Sequence, residues 1–202
     1  MFKPFALTSL LVAAFVLSGC GGDAGRRSDA AWFLDPAESS INFITAKNGD
    51  VVESNRFGAI NGSITRAGHA LIEIQAASVD TQLDTRDERV RSYIFNIEEY
   101  PLIAIEADVD LEEFRQLETG ESQLAELQMA VNAAGRTNTL FATVRVTRAA
   151  RDTVLITTID PVLVDMRDFG MEDGLETLVN LAGLNSITPV TPVSVFLVFE
   201  RS

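Results

Sequence analysis

The chain has 202 residues, 47% hydrophobic and 22% charged, and its 16 Lys and Arg against 29 Asp and Glu give a formal net charge of −13. The length suffices for one domain with a sizeable core. The acidic balance argues against a nucleic-acid partner, because a phosphate backbone requires a basic surface. One Cys is too few for an internal disulfide, and one Cys with one His is too few for the usual zinc sites. The single His also argues against a Ser/His/Asp or Cys/His catalytic centre. We therefore expect no metal, no catalytic residues and no enzyme activity.

The first twenty residues have the pattern of an export signal. Lys3 supplies a positive charge, and residues 5–17 are almost uninterrupted apolar sequence. That run is short for a transmembrane span of about 20 residues but suits a secretory signal. Leu17-Ser18-Gly19-Cys20 resembles the lipobox of bacterial lipoproteins, in which the Cys is lipidated and the preceding peptide removed. We interpret residues 1–19 as a lipoprotein signal peptide and Cys20 as the lipidation site; the alternative is an ordinary signal peptide that contains a Cys.

Residues 20–31 are small and polar without periodicity, which predicts a flexible tether from the lipidated Cys20. A chain anchored in this way belongs to the cell envelope, and we expect it to face the periplasm. Gly21, rather than Asp, follows the Cys, and in enteric-type sorting this resemblance favours the outer membrane over the inner. The folded domain is predicted over residues 32–202.

Period-two alternation dominates the rest of the chain. Apolar and polar side chains alternate in residues 70–76, 102–109 and 139–148, as in strands with one buried face. Three dipeptides predict hairpin-type turns: Asn48-Gly49, Ala67-Gly68 and Ala134-Gly135. Roughly nine strand candidates indicate a sandwich or a barrel.

Two strand candidates, residues 154–164 and 193–199, are apolar on both faces. Such strands are expected where each side is covered. We expect a helix or a second subunit on their outer surface, and a homodimer is one way to provide it.

Two helices interrupt the strands. Thr85-x-x-Glu88 has capping-box spacing and opens the first helix. The second follows Gly170 and stops at Gly183, with an apolar stripe of Met171, Leu175, Leu178 and Ala182. A further short helix is predicted over residues 110–117.

Within this layout, several segments resemble the YceI-like family of polyisoprenoid-binding proteins. The strongest match comprises residues 77–81 (ASVDT), residues 86–92 (RDERVRS), Phe95 and Tyr100-Pro101. Family members show a strand ending SV(D/N)T, a helix reading RDxHLRS, a following Phe and then YP. Arg89 and Val90 of this chain stand where the family has His and Leu.

Two further segments match in family order. Residues 167–171 (RDFGM) resemble the family's R-x-DFG-type turn, and residues 57–62 (FGAING) resemble its F-x-x-F-x-G hairpin region. Residues 131–138 depart from the family's I-R-G-V-T-K-P-V-like hairpin. The ordered matches span roughly residues 32–201.

The resemblance implies an all-β fold with short helices, a lipocalin-like antiparallel β-barrel with an apolar interior. Known members hold a long isoprenoid chain, so the implied ligand is a polyprenyl or quinone-type lipid, with no other cofactor. A small closed barrel can enclose one such ligand. The function implied is a lipid-anchored envelope protein that carries, stores or sequesters an isoprenoid lipid.

The resemblance also directs attention to particular side chains. Arg89 and Arg91 are candidates for a polar mouth that meets a head group; the alternative is local ion pairing with Asp84, Asp87 and Glu88. Phe141 lies on the otherwise polar face of its strand, either facing a ligand or making a rim contact. Eight apolar side chains are candidates for the tunnel lining: Phe43, Phe57, Val90, Phe95, Met129, Phe141, Phe169 and Met171.

A second function class remains open from the residues. The apolar outer faces of residues 154–164 and 193–199 are also typical of a protein-binding surface. The alternative is therefore a structural or assembly lipoprotein whose barrel binds a protein partner and holds no small molecule.

Overall fold

The computed structural model describes residues 30–201, which form a mainly antiparallel β-structure, as predicted. The twelve strand segments are β1 (Ala30–Leu34), β2 (Ser40–Lys47), β3 (Val51–Phe57), β4 (Ile60–Thr65), β5 (His69–Gln75), β6 (Val79–Asp80), β7 (Leu102–Asp108), β8 (Ser122–Ala133), β9 (Arg136–Ala150), β10 (Thr153–Thr158), β11 (Val162–Asp165) and β12 (Val190–Arg201).

These segments build a closed barrel of eight strands. Consecutive segments act as pieces of one bent strand: β1 and β2 both pair with β12, while β4 pairs with β1 and β3 pairs with β2. The ring closes where β1 meets β12, with Leu34 opposite Phe199. Closure leaves no unpaired edge around the ring. The apolar side chains that alternate in the sequence therefore face the inside of the barrel, and the polar side chains face the outside.

The outer faces of the two doubly apolar strands are covered only in part within residues 30–201: Val198 is 7% exposed, but other outward side chains are open to solvent. Leu163 on β11 is 63% exposed and Phe196 on β12 is 40% exposed. The inward neighbours Leu197 and Phe199 are buried, at 3% and 2%. The expected helix on this surface is therefore absent from the described chain, because both helices lie at one end of the barrel.

The three predicted turns are present, and each reverses the chain between two strands. Three residues, Asn48 to Asp50, join β2 to β3, with Lys47 opposite Val51. Asn48 and Gly49 both have positive φ, at 54° and 84°, as in turns of the primed type. Gly68 joins β4 to β5 with φ +92°, and a Cβ there would lie 2.0 Å from the carbonyl oxygen of Val109. Only glycine fits that turn without displacing the neighbouring backbone.

The first helix, α1 (Asp84–Arg89), continues as a π-helical turn over Val90–Phe95. The predicted capping box is wrong: Leu83 is the N-cap residue, without a side-chain bond, and Thr85 lies inside the first turn. Asp87 instead fixes the segment that leads into α1. Its carboxylate accepts hydrogen bonds from the backbone N–H and the hydroxyl of Thr81, at 2.8 and 2.5 Å.

The second helix, α2 (Glu172–Ala182), starts and stops as predicted, and Gly183 follows in the left-handed conformation with φ 63°. It packs directly on the π-helical turn, since a Cβ on Gly174 would lie 2.0 Å from the carbonyl oxygen of Tyr93. The third predicted helix is one 3₁₀ turn, Leu111–Phe114. No helix within residues 30–201 is long and apolar enough to cross a membrane.

Candidate functional site

The barrel encloses a cavity of about 1530 Å³. This is larger than the ~300–1,000 Å³ typical of sites for small ligands. Its middle is lined by inward side chains from strands around the ring, including Ile72, Ile105, Leu140, Val144, Ile156 and Val195. The interior is therefore an apolar chamber that extends from one end of the barrel to the other.

The structure brings seven of the eight candidate lining residues to this cavity. Three phenylalanines form a continuous aromatic patch: the ring centroids of Phe43 and Phe57 are 5.2 Å apart, and those of Phe57 and Phe95 are 5.8 Å apart. The other four come from the helices, the turn before α2 and β8: Val90, Met129, Phe169 and Met171.

The structure contradicts the prediction that Phe141 lines the cavity. Its side chain is 70% exposed and does not border the cavity, whereas its neighbours Leu140 and Ala142 do. Since successive side chains of a strand point to opposite faces, an aromatic residue on the polar face of β9 lies outside the barrel. The expectation that Phe141 lines the tunnel is wrong for this reason.

At one end, which we call the helical end, the cavity lies beside α1, the C-terminal part of α2 and the β2–β3 turn. Glu53 lies there between two cations, with its Oε2 2.5 Å from Lys47 Nζ and 2.6 Å from Arg86 Nη1. Burial pushes the pKa of Glu53 upward, but the hydrogen bonds from Lys47 and Arg86 outweigh it and hold that pKa below its ordinary value. The carboxylate is thus ionised and shared.

The remaining polar groups of Arg86 are also satisfied. Its Nε donates to the hydroxyl of Thr81 at 2.8 Å, and its Nη2 donates to the Thr81 carbonyl oxygen. Thr81 in turn bonds Asp87, a residue that is only 6% exposed. The charges of Lys47, Glu53 and Arg86 are therefore matched by partners within the fold.

The two arginines predicted at a polar mouth lie in different places. Arg89 borders the cavity at the helical end, with its Nη1 3.5 Å from the carbonyl oxygen of Leu181. Arg91 turns away from the cavity and donates to the carbonyl oxygen of Val79 at 3.2 Å, so its assignment to the mouth is wrong. Because the two residues are only two positions apart, about half a helical turn, their side chains point to different faces. Neither arginine has an ion-pair partner among residues 30–201.

Two buried polar side chains interrupt the apolar wall near the helical end. Asn55, 3% exposed, donates from its Nδ2 to the hydroxyl of Thr45 at 3.0 Å, while its Oδ1 has no partner. The hydroxyl of Thr191, 7% exposed, is also without a partner. Both residues border the cavity, so both atoms are available to a hydrogen-bonding group inside it.

The opposite end of the cavity is bordered by a cluster that the sequence analysis missed. We call it the arginine rim, and it consists of Arg66, Arg115, Arg148, Arg151 and Arg201. In an up-and-down barrel alternate connections lie at the same end, which brings the β4–β5, β7–β8 and β9–β10 connections next to the end of β12. Glu118 is the one carboxylate that borders this end of the cavity within the described chain.

Trp32 organises part of the rim. The guanidinium carbons of Arg148 and Arg201 lie 5.9 and 5.6 Å from the centroid of its ring, within the range of a cation–π contact. Arg148 also donates from Nη1 to the carbonyl oxygen of Arg151 at 2.8 Å, and its Nε is buried without a partner. The sequence alone does not reveal the rim, because its five arginines come together only when the order of the strands and their connections is known.

The described residues offer no group of three or more His, Cys, Asp and Glu side chains placed to hold a metal ion. The site is a large apolar chamber with one end where Glu53 is shared by Lys47 and Arg86 and an opposite end bordered by five arginines. Cys20 lies outside the described residues.

Comparison with known proteins agrees with this geometry. The family model for the YceI-like domain matches residues 32–197. A polyisoprenoid binding domain from Saccharophagus degradans, implicated in plant cell wall breakdown, has a TM-score of 0.84 and 32% identity, covering 86% of this chain and 99% of that chain. BcnA of Burkholderia cenocepacia has a TM-score of 0.63 and 15% identity, covering 82% of this chain and 98% of its own. The comparison with curated proteins found no match.

Proposed function

Since this chain belongs to the YceI-like family, we propose that its barrel binds a long isoprenoid or related lipid. The observation that carries the proposal is the cavity of about 1530 Å³ with its apolar wall. The likeness to the Saccharophagus polyisoprenoid binding domain supports it, because that domain shares both the fold and 32% of the sequence. Binding, with carriage, storage or sequestration of the lipid, is proposed rather than catalysis.

The physical basis is burial of apolar surface. Transfer of a hydrocarbon chain from water into an apolar wall contributes about 25 cal/mol per Å². The wall is held by a closed hydrogen-bonded ring, so the chamber exists before the ligand arrives and little ordering is needed on binding. The aromatic patch of Phe43, Phe57 and Phe95 provides a broad contact surface for a chain with double bonds.

We also propose that Cys20 anchors the chain to a membrane of the cell envelope, with the barrel facing the periplasm. The lipobox-like sequence before Cys20 supports this. β1 begins at Ala30, at the end of the barrel that carries the arginine rim, so a tether from Cys20 would place that end toward the membrane. Replacing Cys20 with Ser should move the chain out of the membrane fraction; unchanged membrane association and no acyl mass on the wild-type chain would refute it.

The lipid proposal is tested by native mass spectrometry with organic extraction on the full-length chain, expressed with export in a bacterial host and purified. A matched pair of variants on β9 gives the control. Leu140→Trp adds bulk inside the cavity, whereas Phe141→Trp adds similar bulk on the outer surface. We expect a co-purifying polyprenyl or quinone-type lipid in the wild type and in Phe141→Trp, and at least a tenfold lower amount in Leu140→Trp.

Equal lipid content in the two variants would place the lipid outside the cavity and contradict the proposal. A wild-type chain that carries no lipid, and takes up none when polyprenol is added, would also contradict it. That result would favour the alternative of a protein partner on the exposed apolar residues Leu163 and Phe196.

A further inference from the structure

The arginine rim concentrates positive charge in a very acidic chain. Five of the 16 Lys and Arg residues border one end of the cavity, although the net charge of the chain is −13. Arg115 is paired with Glu112 at 2.9 Å, and Glu118 is the one carboxylate of the described chain that borders the cavity there. The other four arginines have no carboxylate within ion-pair distance among residues 30–201. The rim therefore carries a local excess of positive charge.

Two of these cations lie against Trp32. The guanidinium carbons of Arg148 and Arg201 are both within 6 Å of its indole ring, and neither arginine has an ion-pair partner within the described chain. Like charges that border one cavity end without a counter-ion repel each other. The Nε of Arg148 is in addition buried without a hydrogen-bond partner, and unpartnered buried donors are rare in folded proteins. An anion bound at the rim would offset both costs.

The helical end has one cation without an ion-pair partner, Arg89, against four at the rim. Lys47 and Arg86 share the carboxylate of Glu53, and the other donors of Arg86 are used by Thr81. An anion placed there would compete with a carboxylate already bound at 2.5 to 2.6 Å. The two ends of one cavity thus differ in the charge that a ligand must carry.

We propose that the arginine rim binds the phosphate head of a phosphorylated isoprenoid lipid whose hydrocarbon tail occupies the cavity. This rests on the proposed lipid-binding function and specifies the class of lipid. Guanidinium groups bind phosphate oxygens in pairs of parallel hydrogen bonds, and a phosphate monoester carries about two negative charges near neutral pH. A neutral alcohol or quinone head would leave the cations of the rim without a counter-ion.

The test compares a polyprenyl monophosphate with the neutral polyprenol of the same chain length, using the full-length chain and a fluorescence or calorimetric titration. We expect the wild type to bind the monophosphate at least tenfold more tightly, because hydrogen bonds between charged partners contribute about 1.5–3 kcal/mol each. That preference should shrink as salt is added, since the rim is partly exposed to solvent. The affinity for polyprenol should change little with salt.

Variants locate the effect. Arg148→Gln combined with Arg201→Gln should remove most of the preference for the monophosphate and leave the affinity for polyprenol within about twofold. Arg145→Gln is the matched control, because Arg145 is exposed on the same strand as Arg148 and does not border the cavity. If the double variant were poorly folded, as judged by thermal unfolding, Arg66→Gln and Arg151→Gln, both at exposed positions, provide the same test.

The outcomes separate the two proposals. Binding of neither lipid overturns the lipid-binding function itself. Equal binding of both lipids by the wild type, or an unchanged preference in the rim variants, overturns the phosphate assignment while leaving lipid binding intact. Displacement of the monophosphate by an equal concentration of inorganic phosphate would make the rim a site for the free anion, which also overturns the assignment to a lipid head.

Discussion

The two ends of the barrel differ in how their charged side chains are paired. At the helical end, the cations Lys47 and Arg86 bracket Glu53. At the arginine end, Arg148 and Arg201 lie against Trp32 with no carboxylate of the described chain within ion-pair distance. The paired charges link β2, β3 and α1, whereas the unpaired cations of the rim are those that we propose bind a phosphate head.

The two ends also differ in how tightly their side chains are packed. The helical end is filled by buried side chains, among them Phe169 at 2% exposure and Met171 at 5%. Gly174 allows α2 to approach the Tyr93 carbonyl so closely that no side chain could be added. The arginine end has the half-buried Trp32 and flexible arginines. We therefore expect mutations at the helical end to affect stability and mutations at the arginine end to affect binding.

The largest expected effect on stability is at Phe169. Phe169→Ala should lower the free energy of unfolding by about 3–5 kcal/mol, because it removes a buried aromatic ring where α2 joins the barrel. Phe33→Ala on β1, where the ring is 39% exposed, should cost about 0.5 kcal/mol or less. Urea denaturation followed by circular dichroism measures both. Similar losses for the two variants would contradict the distinction between the ends.

An intermediate effect is expected from removing one arginine at each end. Arg86→Met should cost about 1–3 kcal/mol, since it leaves the Thr81 carbonyl without its donor and removes one partner of Glu53. Arg201→Met should change stability by less than about 0.5 kcal/mol at either salt concentration, because Arg201 is exposed and has no ion-pair partner within the described chain. The comparison is a pair of denaturant titrations at low and high salt. A loss at Arg201 as large as that at Arg86 would show that the rim is part of the structural core.

The smallest expected effect is on the way stability changes as the pH is lowered. The pKa of Glu53 is lowered in the folded chain despite partial burial, through its bonds to Lys47 and Arg86. Its contribution to stability is therefore complete above the ordinary glutamate pKa of about 4.3 and is lost as the pH falls through the lower folded value. Glu53→Gln should make the loss of stability between about pH 5 and pH 3 shallower. Arginine does not titrate in this range, so the double variant of Arg148 and Arg201 should leave the slope unchanged.

Much of the fold followed from local patterns. Alternation located the strands, Asn48-Gly49 and Gly183 marked a turn and a helix end through their positive φ, and motifs such as residues 77–81 carried the family resemblance. The same alternation should have placed Phe141 outside, since its neighbours on β9 have the inward parity. The capping box predicted at Thr85 is wrong because local spacing does not show which side chain bonds the start of the helix. In the structure, Asp87 accepts a hydrogen bond from the backbone N–H of Thr81.

The sequence by itself determined that this is an acidic, all-β chain with two short helices and the family's ordered motifs, because period, turn chemistry and motif order depend on residues close together in the chain. Tertiary structure alone decided which charges meet. Glu53 and Arg86 are 33 residues apart, and Trp32 of β1 meets Arg148 of β9 and Arg201 of β12 because strand pairing brings these segments to one end of the barrel. Coulomb energy depends on distance in space, so charge compensation at one end and its lack at the other appear only when the ring has closed.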